Sequence, residues 1–154
     1  MVPNNTPVIA VVEDNPADAE LLRFALQQTG IHFEIIVLKD GAQALHYLEF
    51  PDRSGRSPVC DLMFMDLNVP VVNGFEVLEE MRSHEELRQI PVIVMSGSEN
   101  QEDVNRCYRA GANSYISKAN DIDEILAKTE LLVSYWFKCV KLPVLQCVPA
   151  PLER

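Results

Sequence analysis

Short apolar runs alternate with longer amphipathic segments along most of the chain. Runs that are apolar at every position, without the polar alternation of a half-exposed strand, are typical of strands buried on both faces. Three such runs occur at 8–12, 62–65 and 92–95, a fourth at 33–38 is interrupted only by Glu34, and a shorter fifth candidate lies at 114–116. Segments with helical spacing lie at 17–28, 41–50, 74–84, 101–110 and 121 to about 140. The pattern therefore predicts strands and helices in strict alternation.

Residues at the ends of these segments support the prediction. Asn15 followed by Pro16 is typical of a helix start, because Asn caps free N–H groups and Pro is favoured at the first helical position. Gly30 and Gly111 stand where helices are expected to end. Repeated strand–helix units predict an α/β fold, a doubly wound parallel sheet with helices on both faces and right-handed crossovers.

Length and charge narrow the class of protein. A chain of 154 residues suits one folded unit, and we expect an N-terminal tail at 1–6, a domain at 7–140 and a C-terminal extension at 141–154. The formal net charge of −10 opposes binding to phosphate backbones and anionic membranes. With a polar N-terminus and no long apolar run, the sequence predicts a soluble cytoplasmic protein without direct nucleic-acid or membrane contacts.

The cysteines do not form a recognisable metal motif. Cys60, Cys107, Cys139 and Cys147 show neither a CxxC pair nor the Cys/His spacing of a zinc site. We expect reduced thiols, mostly packed in the interior.

Polar residues follow the ends of the predicted strands. Glu13 and Asp14 follow the first strand, Asp66 the third, Ser96 the fourth and Lys118 the fifth. In an open parallel sheet, ligands bind outside the carboxyl ends of the strands, where the strand order reverses. If the order is 2-1-3-4-5, the first and third strands are neighbours and their carboxylates crowd together. Like charges that close raise one another's pKa or require a cation.

A hard divalent cation would satisfy such a cluster. Magnesium takes oxygen ligands and usually combines one or two carboxylates with water and a phosphate oxygen. The candidate ligands are Asp14 and Asp66 directly, Glu13 through a water molecule, and the backbone carbonyl of Asn68. Asp66 would keep one oxygen as a nucleophile, beside Ser96 as a donor and Lys118 as a positive charge. These residues predict a phosphoryl-transfer site.

Four sequence blocks together resemble the receiver domain of two-component response regulators. They are VVEDN at 11–15, MDLNVPVVNG at 65–74, VIVMSG at 92–97 and GANSYISK at 111–118, in order and at suitable spacing over roughly 7–130. The resemblance implies a flavodoxin-like fold with strand order 2-1-3-4-5 and five helices. It also implies a signalling phosphoacceptor rather than an enzyme, phosphorylated by a sensor histidine kinase and assisting its own phosphorylation and dephosphorylation.

The resemblance assigns roles to individual residues. Asp66 is the implied phosphoacceptor, and the implied ligands of Mg²⁺ (or Mn²⁺) are Glu13, Asp14, Asp66 and the carbonyl of Asn68. Ser96 resembles the switch hydroxyl, and Lys118 resembles the lysine that stabilises the phosphorylated state. Tyr115 matches the aromatic switch residue, buried or exposed according to phosphorylation. A phosphoryl group adds nearly two negative charges, so it can recruit a hydroxyl and a lysine and alter the contact face of the protein.

One position departs from the family pattern, because Ala119 follows Lys118 where the family usually has proline. A cis peptide before a non-proline residue costs about 2.5–4 kcal/mol, so the loop is either trans or strained. This departure is the only support for an alternative function, a phosphorylation-independent interaction scaffold with a receiver fold. A phosphatase would need a second Asp where Asn68 stands, and the acidic turn EDNPAD disfavours a flavin site.

Apolar residues continue at helical spacing beyond the usual end of a receiver, and the residues from 135 onward are rich in Trp, Phe and Pro. Such a segment has more apolar surface than a monomer usually exposes. Two arrangements stay open: the segment packs on its own core, or it joins the fourth helix, fifth strand and fifth helix in a homodimer. EDNPADAELL at 13–22 and YWFKCVKLP at 135–143 resemble the small single-domain phytochrome-associated response regulators of cyanobacteria, which implies a phytochrome-type kinase.

Overall fold

The computed structural model describes residues 6–49, 60–118 and 120–143. Parallel strands form one sheet in the order β2-β1-β3-β4-β5. The strands are β1 Val8–Val12, β2 Glu34–Leu38, β3 Leu62–Met65, β4 Val92–Ser96 and β5 Ser114–Ser117. The helices are α1 Pro16–Gln28, α2 Gly41–Glu49, α3 Gly74–Ser83, α4 Gln101–Arg109 and α5 Ile122–Ser134, with a short 3-10 turn at Leu87–Gln89. The predicted doubly wound fold and its strand order are confirmed.

The central strands are apolar, except for Ser96 at the end of β4, because helices cover both faces of the sheet. On one face, Ala10, Met63 and Val94 pack in a cluster with residues of α2, α3 and α4. On the other face, Val11 and Phe64 pack with residues of α1 and α5. The central strands are therefore rigid supports for the residues that follow them.

The helix boundaries predicted from Asn15, Gly30 and Gly111 are confirmed. The Asn15 side chain accepts hydrogen bonds from the backbone N–H groups of Ala17 and Asp18, at 2.9 and 3.3 Å, and Pro16 begins α1. Gly30 and Gly111 have φ angles of +79° and +103°, a conformation that costs glycine far less than other residues. Both glycines follow the ends of helices, as their positions in the sequence indicated.

The prediction of one regular helix to about Val140 is wrong in its last turn. α5 ends at Ser134, and a wider π-helical turn spans Tyr135–Cys139, where the N–H of Val140 donates to the carbonyl of Tyr135 at 3.0 Å. The wider turn lets the neighbouring side chains of Trp136 and Phe137 both pack against the α1–α5 side of the core. The Phe137 ring lies 4.9 Å from that of Phe33. To this point, the extended segment packs on its own core.

Several predictions fall outside the described residues. They concern most of the N-terminal tail, the end of the second helix at Phe50, Cys147, the peptide between Lys118 and Ala119, and most of the extension at 141–154. Within the described ranges, no helix is both long and apolar enough to cross a membrane.

Candidate functional site

The acidic residues meet because β1 and β3 are neighbours in register. Val12 pairs with Met65, so the next residues, Glu13 and Asp66, leave the sheet side by side. The N–H of Asp66 donates to the carbonyl of Val12 at 2.9 Å, which continues the pairing to the strand end. Glu13 and Asp66 are each only 7% exposed, whereas Asp14 is exposed to solvent. The predicted convergence of these carboxylates is therefore observed.

The loop after β3 holds Asp66 through close backbone contacts. The N–H of Gly74 donates to the carbonyl of Leu67 at 3.0 Å, and a Cβ at Gly74 would lie 2.6 Å from the carbonyl oxygen of Asp66. Only glycine allows the start of α3 to come this close. Asn73 caps α3 by accepting a hydrogen bond from the N–H of Glu76 at 3.0 Å. The N–H of Asn68 donates to Oδ1 of Asp66 at 3.2 Å, so the loop also orients the carboxylate.

The donor set of the acidic cluster fits a hard divalent cation. Glu13, Asp14 and Asp66 can each offer a carboxylate oxygen, and these oxygens lie within 4.8 Å of one another. These oxygens would suit a hard cation bound directly by Asp14 and Asp66 and through a water molecule by Glu13. The absence of sulfur and imidazole ligands from this cluster disfavours zinc.

Lys118 neutralises part of this negative charge. Its ammonium group donates to Oε2 of Glu13 at 2.9 Å, to Oδ2 of Asp18 at 2.9 Å and to Oδ2 of Asp66 at 3.0 Å. The backbone N–H of Lys118 donates to the carbonyl of Ser96 at 2.8 Å, which aligns the end of β5 with that of β4. The predicted placement of this lysine against Asp66 is observed.

Burial and neighbouring charged groups shift the pKa values of Glu13 and Lys118. Burial raises the pKa of the Glu13 carboxyl and the nearby charge of Asp66 adds to that rise, although the hydrogen bonds from Lys118 and from the N–H of Asn15 oppose it. Burial by itself would lower the pKa of Lys118, but its hydrogen bonds to three carboxylates raise it instead. Lys118 is therefore charged throughout the physiological pH range.

Ser96 and Tyr115 are linked through Ser98. Ser96 is fully buried, and its hydroxyl oxygen accepts a hydrogen bond from the N–H of Ser98 at 3.2 Å. The Tyr115 hydroxyl donates to the carbonyl of Ser98 at 2.6 Å, and its ring is partly buried. Among the hydrogen bonds of the described residues, none joins the Ser96 hydroxyl to Asp66 or to the ammonium group of Lys118.

Sequence reasoning missed Asp18 as part of this site. Asp18 lies in the first turn of α1, where an acidic residue is ordinarily explained by the helix dipole. The sequence signal that could have found it is its position in the first turn of α1, shortly after Glu13 and Asp14. Its pairing with Lys118 depends on a residue 100 positions later in the chain.

A small cavity adjoins the acidic cluster. It has a volume of about 50 Å³ and lies between the sheet, α1 and α5, with Asp18, Asp66 and Lys118 among its polar lining and Leu22, Phe64 and Ile125 among its apolar lining. A space of roughly 10–15 Å³ already holds one water molecule. Lys118 and Asp18 therefore both line a space large enough for water.

The cysteines behave as expected where they are described. Cys60 and Cys107 are buried free thiols, and burial raises the pKa of Cys60 to about 12 and that of Cys107 to about 11. A thiol that stays protonated at neutral pH is a poor nucleophile and metal ligand. Cys139 is a free thiol on the surface.

Comparison with known proteins places these features in a family context. The family model for the response regulator receiver domain matches residues 9–130. Response regulator Rcp1 of Synechocystis sp. is 34% identical over 140 residues, which cover 91% of this chain and 95% of Rcp1.

Two solved structures are similar over nearly their whole length. The phosphorylated cyanobacterial phytochrome response regulator RcpA has a TM-score of 0.83 and 32% identity, over 90% of this chain and 99% of RcpA. The Mn²⁺-bound form of Rcp1 has a TM-score of 0.80 and 34% identity, again over 90% of this chain and 99% of the other.

Proposed function

Because this chain belongs to the response regulator receiver family and is related to phytochrome response regulators, we propose that it accepts a phosphoryl group on Asp66 from a phytochrome-type sensor histidine kinase. The observation that carries this proposal is the meeting of Glu13, Asp14 and Asp66 with the ammonium group of Lys118 at the end of the central strands. A surface scaffold would not need three carboxylates and a lysine in this arrangement, since their mutual repulsion and desolvation are costly.

The proposed transfer forms one bond and breaks another. A carboxylate oxygen of Asp66 bonds to phosphorus while the phosphorus–nitrogen bond of the donor phosphohistidine breaks, and its electron pair stays on the imidazole nitrogen. Mg²⁺ or Mn²⁺, held by Glu13, Asp14 and Asp66 with the Asn68 carbonyl, would stabilise the negative charge that develops on the phosphoryl oxygens. Lys118 supplies a fixed positive charge on the other side of Asp66.

The proposed switch follows the contacts of Ser98. If Ser96 rotates so that its hydroxyl donates to the phosphoryl group, it gives up its contact with the N–H of Ser98. Ser98 also holds the Tyr115 hydroxyl through its carbonyl, so a shift of this loop changes the position of Tyr115. A charge added at Asp66 would thereby alter the surface formed by α4, β5 and α5.

Exposed apolar side chains support the proposed homodimer on this surface. Leu131 and Tyr135 are 73% and 51% exposed and lie one helical turn apart on α5 and the turn that follows. An isologous contact between two copies of this α4-β5-α5 face, extended by residues 141–154, would cover them.

The central experiment is phosphorylation by a small donor. We expect the chain, incubated with Mg²⁺ and acetyl phosphate, to gain the mass of one phosphoryl group by intact-mass spectrometry, in an adduct that survives acid and is lost in base, as an acyl phosphate is. Asp66→Asn should gain none. Asp123→Asn, which removes an exposed acidic residue from the start of α5, is the matched control and should react as the wild type does.

An adduct that persists in Asp66→Asn would contradict the assignment of the phosphoacceptor. A wild-type chain that acquires no adduct would instead favour the phosphorylation-independent scaffold. The kinase partner is tested separately, by comparing rates of phosphoryl transfer from purified histidine kinases. A phytochrome-type kinase should transfer faster than kinases of other sensor classes.

A further inference from the structure

The hydrogen-bonding capacity of Lys118 is completely used by carboxylates. An ammonium group has three N–H donors and no acceptor. In the structure these donors meet Glu13, Asp18 and Asp66, at 2.9, 2.9 and 3.0 Å. A phosphoryl group on Asp66 takes over the donor that Asp66 uses now, so a further hydrogen bond to it requires that Lys118 release Glu13 or Asp18.

The Glu13 and Asp18 contacts differ in how easily they are released. The side chain of Glu13 is 8% exposed, so it would be left as a buried carboxylate without its lysine. The Asp18 side chain is 42% exposed, and water can solvate it at once when the lysine leaves. The cavity bordered by both Asp18 and Lys118 also gives the ammonium group room to move. Asp18 is the partner that is cheapest to give up.

From this geometry we propose that Asp18 is a positioning residue that holds Lys118 in the unphosphorylated state and competes with the phosphoryl group for its ammonium group. This inference rests on the proposed function. The carboxylate holds the lysine on the side of α1, and this contact weakens when Lys118 shifts to bind more than one phosphoryl oxygen. Asp18 therefore shifts the balance toward the unphosphorylated form.

The competition makes opposite predictions for two ligands. In Asp18→Asn the ammonium group is no longer held by the carboxylate on α1, so it is free to bind a phosphoryl analogue on Asp66 and that binding should tighten. Mg²⁺ alone should bind more weakly, because the site loses a negative charge while the lysine lies closer to the remaining carboxylates. A partly exposed ion pair contributes about 0.2–1 kcal/mol, so each affinity should change by no more than about fivefold.

The test uses the full chain and isothermal titration calorimetry. Beryllofluoride is titrated at saturating Mg²⁺, and Mg²⁺ is titrated alone. We expect Asp18→Asn and Asp18→Ala to bind beryllofluoride about two- to fivefold more tightly and Mg²⁺ more weakly. Asp18→Glu restores the charge and should bring both affinities back toward the wild type. Glu20→Gln is the matched control and removes a charge from the same helix. Because Glu20 pairs with Arg23 rather than Lys118, this variant should change neither affinity beyond experimental error.

Asp18 also lies in the first turn of α1, where it favours the helix. A purely structural role would lower the melting temperature while leaving both affinities unchanged or weakening both, and either result would overturn the inference. If the wild type binds no beryllofluoride, the proposed function fails and the inference fails with it. If the wild type binds and Asp18→Asn binds equally, only the inference fails.

Discussion

Glu13 is a carboxylate placed where water scarcely reaches it. Its side chain is 8% exposed, next to Asp66 and within reach of Lys118. Burial raises the pKa of its carboxyl group, which means that the folded protein holds the proton of this group more tightly than the unfolded chain does. Such a group favours folding while protonated, and its contribution is lost as the pH rises through its folded-state pKa.

Replacing this carboxylate should therefore stabilise the metal-free protein at neutral pH. We expect Glu13→Gln to increase the free energy of unfolding at pH 7 by about 1 kcal/mol, the usual size of a single stabilising substitution. The difference from the wild type should shrink as the pH falls from 7 toward 4.5, the ordinary pKa of a Glu side chain, because the buried carboxyl group takes up its proton in that range. Urea unfolding of both proteins in EDTA, over a range of pH, measures it.

Magnesium should reverse this order. A ligand that binds only the folded state stabilises that state more when it binds more tightly. The Gln variant loses one carboxylate of the proposed metal site, so it should bind Mg²⁺ less tightly. In saturating Mg²⁺ the wild type should gain more stability than Glu13→Gln.

The metal-free prediction has its own contrary outcome. If Glu13→Gln is less stable than the wild type in EDTA at pH 7, the contact of Glu13 with Lys118 outweighs the cost of burying the carboxylate.

At the scale of helices and strands, the two ends of the sheet have different tasks. The carboxyl ends of the strands bear the acidic site, whereas the opposite ends are held by hydrogen bonds of Arg82. Its guanidinium group donates to backbone carbonyls of Arg88, Ile90 and Gly111 and to the side chain of Asn113. These contacts join the end of α3 to the start of β4 and to the turn after α4. The partly buried arginine is therefore a structural residue.

Glycine substitutions at helix ends separate the cost of a positive φ angle from the cost of a steric clash at the new Cβ. Gly30→Ala should cost about 1–2 kcal/mol from backbone conformation alone, because φ is positive but no atom lies within 4 Å of the new Cβ. Gly111→Ala should cost more, because its Cβ would also lie 2.7 Å from Cγ of Arg82. Gly97→Ala, with neither obstacle, is the control and should be close to neutral.

Thermal or urea unfolding of these three variants gives the comparison. Equal losses at Gly30 and Gly111 would mean that Arg82 moves aside freely, and that its hydrogen bonds contribute little to stability.

At the scale of the whole molecule, α5 serves two surfaces. Val133 and the neighbouring Trp136 and Phe137 pack on the core, while Leu131 and Tyr135 face outward. A truncation before residue 135 would remove part of the core together with the proposed interface. Substitutions on the outward face, and removal of only residues 144–154, are the cleaner tests.

We expect Leu131→Glu to convert a homodimer into a monomer that remains folded. In an isologous interface each substitution is present twice, so the two new charges would face each other or an apolar surface. Sedimentation velocity measures the mass. Phe24→Gln removes an exposed apolar side chain from α1, outside the proposed interface, and should leave the mass unchanged. An unchanged dimer in Leu131→Glu would exclude this face.

Much of this molecule was determined by local sequence. The continuously apolar runs predicted strands buried on both faces, because a polar side chain on either face would be taken out of water without a partner. Asn15 and Pro16 predicted the start of α1, and Gly30 its end, because these residues act on their immediate neighbours. The carboxylates and Lys118 could be assigned to one edge of the sheet because parallel strands carry their ends to the same place.

Only the tertiary structure decided which residues distant in the sequence contact one another. The partner of Asp18 is determined by how α1 lies against the end of β5, which no local pattern expresses. Helical spacing alone predicts a regular turn at Tyr135–Cys139, whereas the structure has a π-helical turn there, with the Phe137 ring against Phe33. The sequence determined which residues form each strand and helix, since those are short-range effects. Packing determined the directions of their side chains and the three carboxylates that share the ammonium group of Lys118.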